Sequence, residues 1–492
     1  MLKPIDRSRR DGPLYPGSTK TLRDFIDHKH LLRRIDANFD FAALVEFLQA
    51  QYDPWIGRPA IHPEVLIRAL VLMVVYQVPS ERQVCERIAE NLAWRWFCQL
   101  TLEDPVFDHS TISVFRDRLG SQRFQDLLTR LNEELERREL LSSRTYVDST
   151  SIEANVRLAN LESTDLSPAE FAQRATAEDD VFVVRETIPA DPTTGEPTRL
   201  QFTRYQDKEG RLPLSLVDPD ARWRRPKPHK PAILGYKENV IVDKSGFILA
   251  REVTPADIGD VAGAEPLLDR LPFVPTSLTG DTAYGAGAFR QEVRRRGITL
   301  YAPLKETHDA TASTLLATGA FVFHGDHLTC RADKVLYPTG FPTADGTQMF
   351  VAPPGACALC PLREDCLPPK QDRRQVGLSR YQFEFRRAQQ LNAMIGYQRE
   401  MRRRKTVIEG VFARLDRLGW DKARFRGRDK VDCQGSIAAM AHNILKALTK
   451  VRFGRRAAGA LRPARHLDPV EEILGSLSPL FQPLLWSTHL PA

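Results

Sequence analysis

The sequence has no apolar run long enough to cross a bilayer. Its longest, VLIRALVLMVVYQV at 65–78, carries Arg68 and falls short of the roughly 20 residues a spanning helix needs. The N-terminal stretch MLKPIDRSRRDGP has no apolar core of the kind a secretory signal requires. Cysteine is scarce, with seven in 492 residues, which excludes a disulfide-built scaffold. No internal repeat is visible, which argues against a solenoid or propeller. These absences lead us to expect a cytoplasmic protein without membrane contact, whose thiols are reduced and either free or metal-bound.

What is present is a globular composition, 42% hydrophobic and 27% charged, with a net charge of +7. The length allows two to four domains with real cores. A basic balance permits nucleic-acid binding without establishing it.

The periodicity changes along the chain. Residues 1–140 read as an N-terminal helical domain, suited to DNA-end recognition or to dimerisation. Within it HPEVLIRALVLMVVYQV looks like a buried central helix. Ser80 and Gln83 have the spacing of a capping box, and the helical pattern from Asp108 breaks near Gly120. Residues 141–304 read as the first part of an α/β domain. TYVDSTSI is a strand, ILGYKENVIVDKSGFILAREVT a hairpin around DKSG, DVAGAEPLLDRL a helix and TSLTGDTAYGA a strand. GAFRQEVRRRGI and TLYAPL then give a helix and a strand. A polar insertion occupies 160–232. Residues 305–385 form a Cys-containing insertion, 386–451 return to helix and complete the α/β domain, and 452–492 read as a flexible tail. The fold class expected is therefore α/β: a mixed sheet flanked by helices, preceded by an all-helical domain.

Three carboxylates stand in suggestive settings. Asp148 ends the first strand, and Asp281 ends a later one before a Gly-containing turn. Glu409 lies at the edge of the apolar stripe Ile408, Val411, Phe412 and Leu415. An Asp after a strand is commonly a turn or cap residue, and a helical Glu a solvated charge. Clustered acids, however, are tolerated mainly where cations neutralise them. Two divalent ions about 3.5–4 Å apart would activate a hydroxyl and stabilise the leaving oxygen of a phosphodiester. Residues 402–430 hold eleven Lys or Arg against four acids. Such a run around a metal carboxylate suits a polyanion. Trp420 and Phe425 interleave with it, as stacking platforms or as core.

The sequence resembles the DDE transposases of bacterial insertion sequences over residues 20–450. Four stretches carry the resemblance: DHSTISVFRDRL; YVDSTSIEAN; LGYKENVIVDKSGFILAREVTPADIGD with LTGDTAYGA; and RRRKTVIEGVFARLDRLGWDKARFRGRDKVDCQGSIAAMAHNILK. The resemblance implies a ribonuclease-H-like catalytic fold and two Mg²⁺ (or Mn²⁺) ions on Asp148, Asp281 and Glu409. It also implies cleavage and strand transfer at the terminal inverted repeats of a mobile element, with target DNA as second partner. Self-association on DNA and a place beside the nucleoid are further implications. Arg402, Lys405, Arg414, Arg417, Arg424 and Arg426 become candidate DNA contacts. Many relatives carry a Tyr, an Arg and a Lys at set offsets around the glutamate, where this chain has Arg402, Lys405 and Asp416. Tyr284, three residues after Asp281, fits the family pattern. Other readings are a catalytically silent DNA-binding protein of the same fold and a metal-dependent nuclease that cuts without joining.

The cysteines divide in two. Cys85, Cys98 and Cys433 sit in apolar helical patterns as small core residues. Cys330, Cys357, Cys360 and Cys366 fall in one region, and CALC followed by PLREDC resembles half of a zinc ribbon. The four either hold a structural Zn²⁺, with His324 or His327 as substitute ligands, or remain reduced thiols in a small insertion.

Overall fold

The computed structural model describes residues 2, 5–53, 55–57, 59–156, 218, 220–225, 232–304, 321–324, 326–344, 346–367 and 371–457. Most of the polar insertion and most of the tail lie outside these. The chain divides into one unit comprising 1–303 and 391–453 and a second comprising 304–390 with 454–492.

In the first unit, short helices α1 (Leu31–Asp36) and α2 (Phe41–Val45) precede α3 (Pro63–Val75). Pro63 opens α3 where no helical donor is lost, and His62 accepts from the Glu64 amide. Nearly every residue of α3 is buried, as its all-round apolar sequence demands. Ser80 caps α4 (Glu81–Glu90) by accepting from the Gln83 amide, and Asn91 caps α5 (Leu92–Phe97). Trp94, Trp96 and Phe97 are core. Asp108 caps α6 (His109–Arg137), which kinks at Gly120, where φ is 65° and ψ 173°. The expected break is there, at a backbone conformation that only glycine adopts readily.

The sheet of this unit contains β1 (Arg144–Glu153), β2 (Arg222–Arg224), β3 (Ile233–Asp243), β4 (Ile248–Pro255), β5 (Ser277–Thr279) and β6 (Thr299–Tyr301). β3 pairs antiparallel with β1 on one edge and with β2 and β4 on the other, and β5 and β6 extend the sheet in parallel with β1. The β3–β4 hairpin turns at DKSG, where Asp243 accepts from the amides of Phe247 (2.7 Å) and Ser142 (2.9 Å).

Both faces of the sheet are covered. One packs on α7 (Asp260–Ala264) and α8 (Gly287–Arg295), burying Val147, Ile241, Leu267, Leu278, Phe289 and Val293. The other packs on α9 (Ile395–Arg417) and α10 (Arg428–Ala457), and its core runs without interruption into the N-terminal helices. Buried polar groups fasten these layers. Arg251 on β4 bonds Glu238 at 2.8 Å and Asp432 of α10 at 2.7 Å, and Asn132 of α6 donates to the carbonyls of Ile248 and Leu249.

The second unit, among its described residues, is an antiparallel sheet in the order β11-β10-β9-β8-β7, made of β7 (Val322–Phe323), β8 (Leu328–Thr329), β9 (Val335–Thr339), β10 (Thr347–Val351) and β11 (Gln375–Ser379). Its small core joins Phe321, Leu328, Leu336, Phe350, Val376 and Leu378 to Cys357 and Cys366. Among the described residues no helix is long and apolar enough to cross a membrane.

Candidate functional site

Strand pairing brings Asp148 and Asp281 together. β1 and β5 are parallel, with Arg144 opposite Ser277 and Tyr146 opposite Thr279, a constant offset of 133 residues. Asp148 and Asp281 are separated by the same 133 residues. Asp148 lies in the middle of β1, not at its end as expected, and Asp281 follows β5 by two residues, near enough for its charge to act on Asp148. Asp281 leaves β5 through Gly280 and caps the turn Thr282–Gly285, accepting from the Ala283 amide at 2.8 Å. A Cβ on residue 280 would come within 2.7 Å of the Tyr284 Cβ, so glycine is what allows the chain to turn there.

Asp148 is largely buried. Its carboxylate accepts from Arg404 of α9 at 2.6 Å and from the Ser149 amide at 2.9 Å. Its pKa is pushed up to about 6, first by burial and then by Asp281 and Asp260, against the opposing pull of Arg404 and the Ser149 amide. A third acid therefore reaches this site. Asp260 opens α7 and accepts from Ser149 Oγ (2.7 Å) and Lys237 Nζ (3.0 Å). Burial alone would raise its pKa, but these two hydrogen bonds outweigh it and hold the carboxyl below its ordinary value. Tyr284, buried beside the pair, has a phenol shifted well up, first by burial and then by Asp148, Asp260 and Asp281. Among the described residues its hydroxyl has no hydrogen-bond partner.

Glu409 stands elsewhere on its helix. The buried stripe of α9 is Glu400, Arg404, Ile408, Val411 and Leu415. Glu400 accepts from Tyr146 Oη at 2.9 Å, and Arg404 lies on Asp148 and on the Val147 carbonyl. Glu409 follows Arg404 by five residues, about 140° round the helix, and is exposed. Among the described residues no group of three or more His, Cys, Asp or Glu is already gathered as a metal centre. The all-oxygen, mutually repelling pair fits a hard divalent cation, with the third carboxylate of the expected triad on the outer face of the adjoining helix.

The basic residues differ in what they touch. Arg402, Lys405 and Arg417 are exposed on α9. Arg414 is half-buried, and its charge acts on His442 and Lys446. Arg424 donates to the Val78 carbonyl at 2.7 Å, and Arg426 to the Asn155 carbonyl at 3.1 Å. Trp420 is core, and Phe425 lies under the Arg116 guanidinium at 3.9 Å.

Arg404, Glu400 and Asp260 were not singled out from the sequence. Arg404 is one of four consecutive basic residues, and nothing in that run marks which faces inward. Asp260 reads as an ordinary helix-opening acid.

In the second unit, Cys330, Cys357, Cys360 and Cys366 line one small cavity with Lys334, Leu336, Ala352, Arg363, Leu367 and Arg374. His324 and His327 do not line it; their rings stack on each other at 4.8 Å.

Two protein families match the chain: a transposase domain (DUF772) over residues 20–118 and a transposase DDE domain over residues 198–444. No curated protein matches it. Among solved structures it is similar to piggyBac transposase in a synaptic complex with hairpin DNA (9% identity, TM-score 0.30, covering 86% of this chain and 75% of that one). It is also similar to Mos1 transposase in a paired-end complex with the left transposon end (12%, 0.15, 56% and 77%). Scores this low carry nothing about the fold. The first match falls on the helical region and the second runs from before β2 into α10, starting after β1 so that Asp148 lies outside both; together they show that the chain belongs to the DDE transposase family and is a DNA transposase of insertion-sequence type.

Proposed function

We propose that the chain cleaves phosphodiesters at the ends of a mobile element and joins the freed 3′ hydroxyl to target DNA, with Asp148, Asp281 and Glu409 holding divalent ions. The observation that supports this reading is the parallel pairing of β1 with β5, which carries Asp148 and Asp281 within electrostatic reach of each other. A mixed sheet with helices on both faces suits the ribonuclease-H-like fold that the resemblance implies. Mg²⁺ or Mn²⁺ suits the oxygen-only donors. When bound, a pair of such ions activates the attacking hydroxyl and stabilises the leaving oxygen.

The chain's own residues do the rest. Asp148 and Asp281 supply oxygens from a rigid sheet, and Arg404 neutralises Asp148 until a cation replaces it. Glu409 would supply the third carboxylate from the exposed face of α9. Arg402, Lys405 and Arg417 meet DNA phosphates from that same exposed face. Terminal repeats and target DNA are the partners, bound by more than one copy of the chain.

The test is incubation with a supercoiled donor carrying candidate ends, with Mg²⁺, with Mn²⁺ and with EDTA. Joined products should require metal and vanish in Asp148→Asn, Asp281→Asn and Glu409→Gln. Mn²⁺ titration by calorimetry, independent of turnover, should weaken in the two aspartate variants. DNA retention without any cutting would overturn the proposal, and nicking without joining would reduce it to hydrolysis.

A further inference from the structure

We propose that the cavity in the second unit is a closed zinc centre in which Cys330, Cys357, Cys360 and Cys366 bind one Zn²⁺ as thiolates. The proposal does not depend on the reading of Asp148, Asp281 and Glu409.

The placement of the four residues is what argues for it. Cys330 follows β8 and begins a tight turn in which the Asp333 amide donates to its carbonyl at 3.0 Å and its own amide donates to the Lys334 carbonyl at 3.0 Å. The Lys334 amide points at Cys330 Sγ, 3.3 Å away. Backbone N–H groups aimed at a sulfur are outer-shell contacts that tune a metal thiolate. Cys357 and Cys360 flank a second turn, closed by Cys360 N to Cys357 O at 3.5 Å, and Cys366 ends the short helix Arg363–Cys366. Two arms far apart in sequence thus bring four sulfurs to one small space. Each sulfur lies within electrostatic reach of Cys366. Among the described residues the other lining side chains are Leu, Ala, Lys and Arg, so sulfur is the metal donor they present.

All four cysteines are unpaired, as soft tetrahedral coordination requires. A Zn²⁺ with four thiolates carries a net charge of −2, and Arg363 and Arg374 stand at the same cavity. Arg363 donates to the Cys357 carbonyl at 3.1 Å and Arg374 to the Cys366 carbonyl at 3.0 Å. Both guanidiniums are held by the backbone of the ligand segments, where they balance that charge. The described strands of this unit are two to five residues long around a small core, which is where a metal staple adds most. The thiols converge without yet forming a ready-made centre; side-chain rotation about Cα–Cβ closes them on an ion. A four-thiolate site leaves no open position for water or substrate, so its role is structural.

The experiment uses the full chain, purified without added metal and analysed for zinc and iron by mass spectrometry. We expect about one zinc per chain, with the content falling several-fold in Cys357→Ser and in Cys360→Ser and unchanged in Cys85→Ser. Since a ligand variant could misfold, the second measurement is made on the wild-type chain, in which cobalt(II) replaces zinc. The absorption expected is that of tetrahedral cobalt with sulfur-to-metal charge transfer. A chain that takes up no metal from ZnCl₂ would overturn the proposal. So would iron in place of zinc, a disulfide among the four cysteines under reducing conditions, or zinc retained in both ligand variants.

Discussion

Position 280 shows how little room the pocket allows. An added methyl would lie 2.7 Å from the Tyr284 Cβ. Gly280→Ala should therefore lower stability by about 1–3 kcal/mol, the cost of overpacking, as measured by urea denaturation, and weaken Mn²⁺ binding by displacing Asp281. His442 carries a different signal. It is buried on α10 with Nε2 at 2.9 Å from the Gly246 carbonyl. Burial depresses its pKa to about 4, and Arg414 and Lys446 add to the depression. The folded state thus binds this proton less well than the unfolded chain. Stability is intact above the unfolded value near 6.5 and declines as pH falls toward 4, by about 3 kcal/mol at most. His442→Gln keeps a donor toward Gly246 but cannot titrate. Denaturation at pH 7 and pH 5 should show a smaller loss on acidification in the variant than in wild type. At this scale the sequence picked out Asp148 and Asp281 as acids beside apolar runs, but it placed Asp148 at the end of a strand that in fact continues to Glu153. It was not legible for Asp260 or Arg404, because their relevance depends on which neighbours the folded sheet and helix give them.

Helices α6 and α9 show how a pattern can be read correctly in outline and still leave a direction undetermined. The break in α6 was visible from Gly120. Among the described residues nothing lies within 4 Å of a Cβ there, so the cost of Gly120→Ala is conformational, about 1–3 kcal/mol. Gly410, in the interior of α9, also has open space around it but no positive φ. Gly410→Ala should stabilise by about 0.5–1 kcal/mol. Thermal melts of the two alanine variants should move in opposite directions. For α9, the apolar stripe placed Glu409 at its edge, but the buried face also includes the charged residues Glu400 and Arg404. Their burial, held by Tyr146 and Asp148, turns the stripe and leaves the glutamate on the solvent side. A hydrophobicity pattern has no means of recording a buried ion pair.

On the scale of the molecule, the mixed sheet with a helical region before it was apparent from the change of periodicity near residue 141. What the pattern did not reveal is that helices and sheet share a continuous core, because long-range bonds such as Gln125 to Asp432 at 2.7 Å have no local signature. The net charge of +7 leads to a prediction at the same scale. DNA affinity should fall steeply with salt. Replacing Arg402, Lys405 and Arg417 together by Gln should reduce the slope of log K against log salt by about 2–3, as the loss of three phosphate contacts requires. Binding measured by fluorescence anisotropy between 50 and 300 mM salt, conditions chosen to span that range, checks this.

The ladder between β1 and β5 also decides which changes of length the chain can absorb. The 133 residues from Asp148 to Asp281 form an excursion whose two ends are tied by backbone hydrogen bonds, so segments can be gained or lost within its loops while both acids stay in place. One residue inserted between Arg144 and Asp148 would instead send the carboxylate through to the opposite side of the sheet. Variation in the size of such proteins should therefore accumulate in the excursion, and single-residue insertions in the four residues Arg144–Val147 before the first acid should be the ones that abolish transposition.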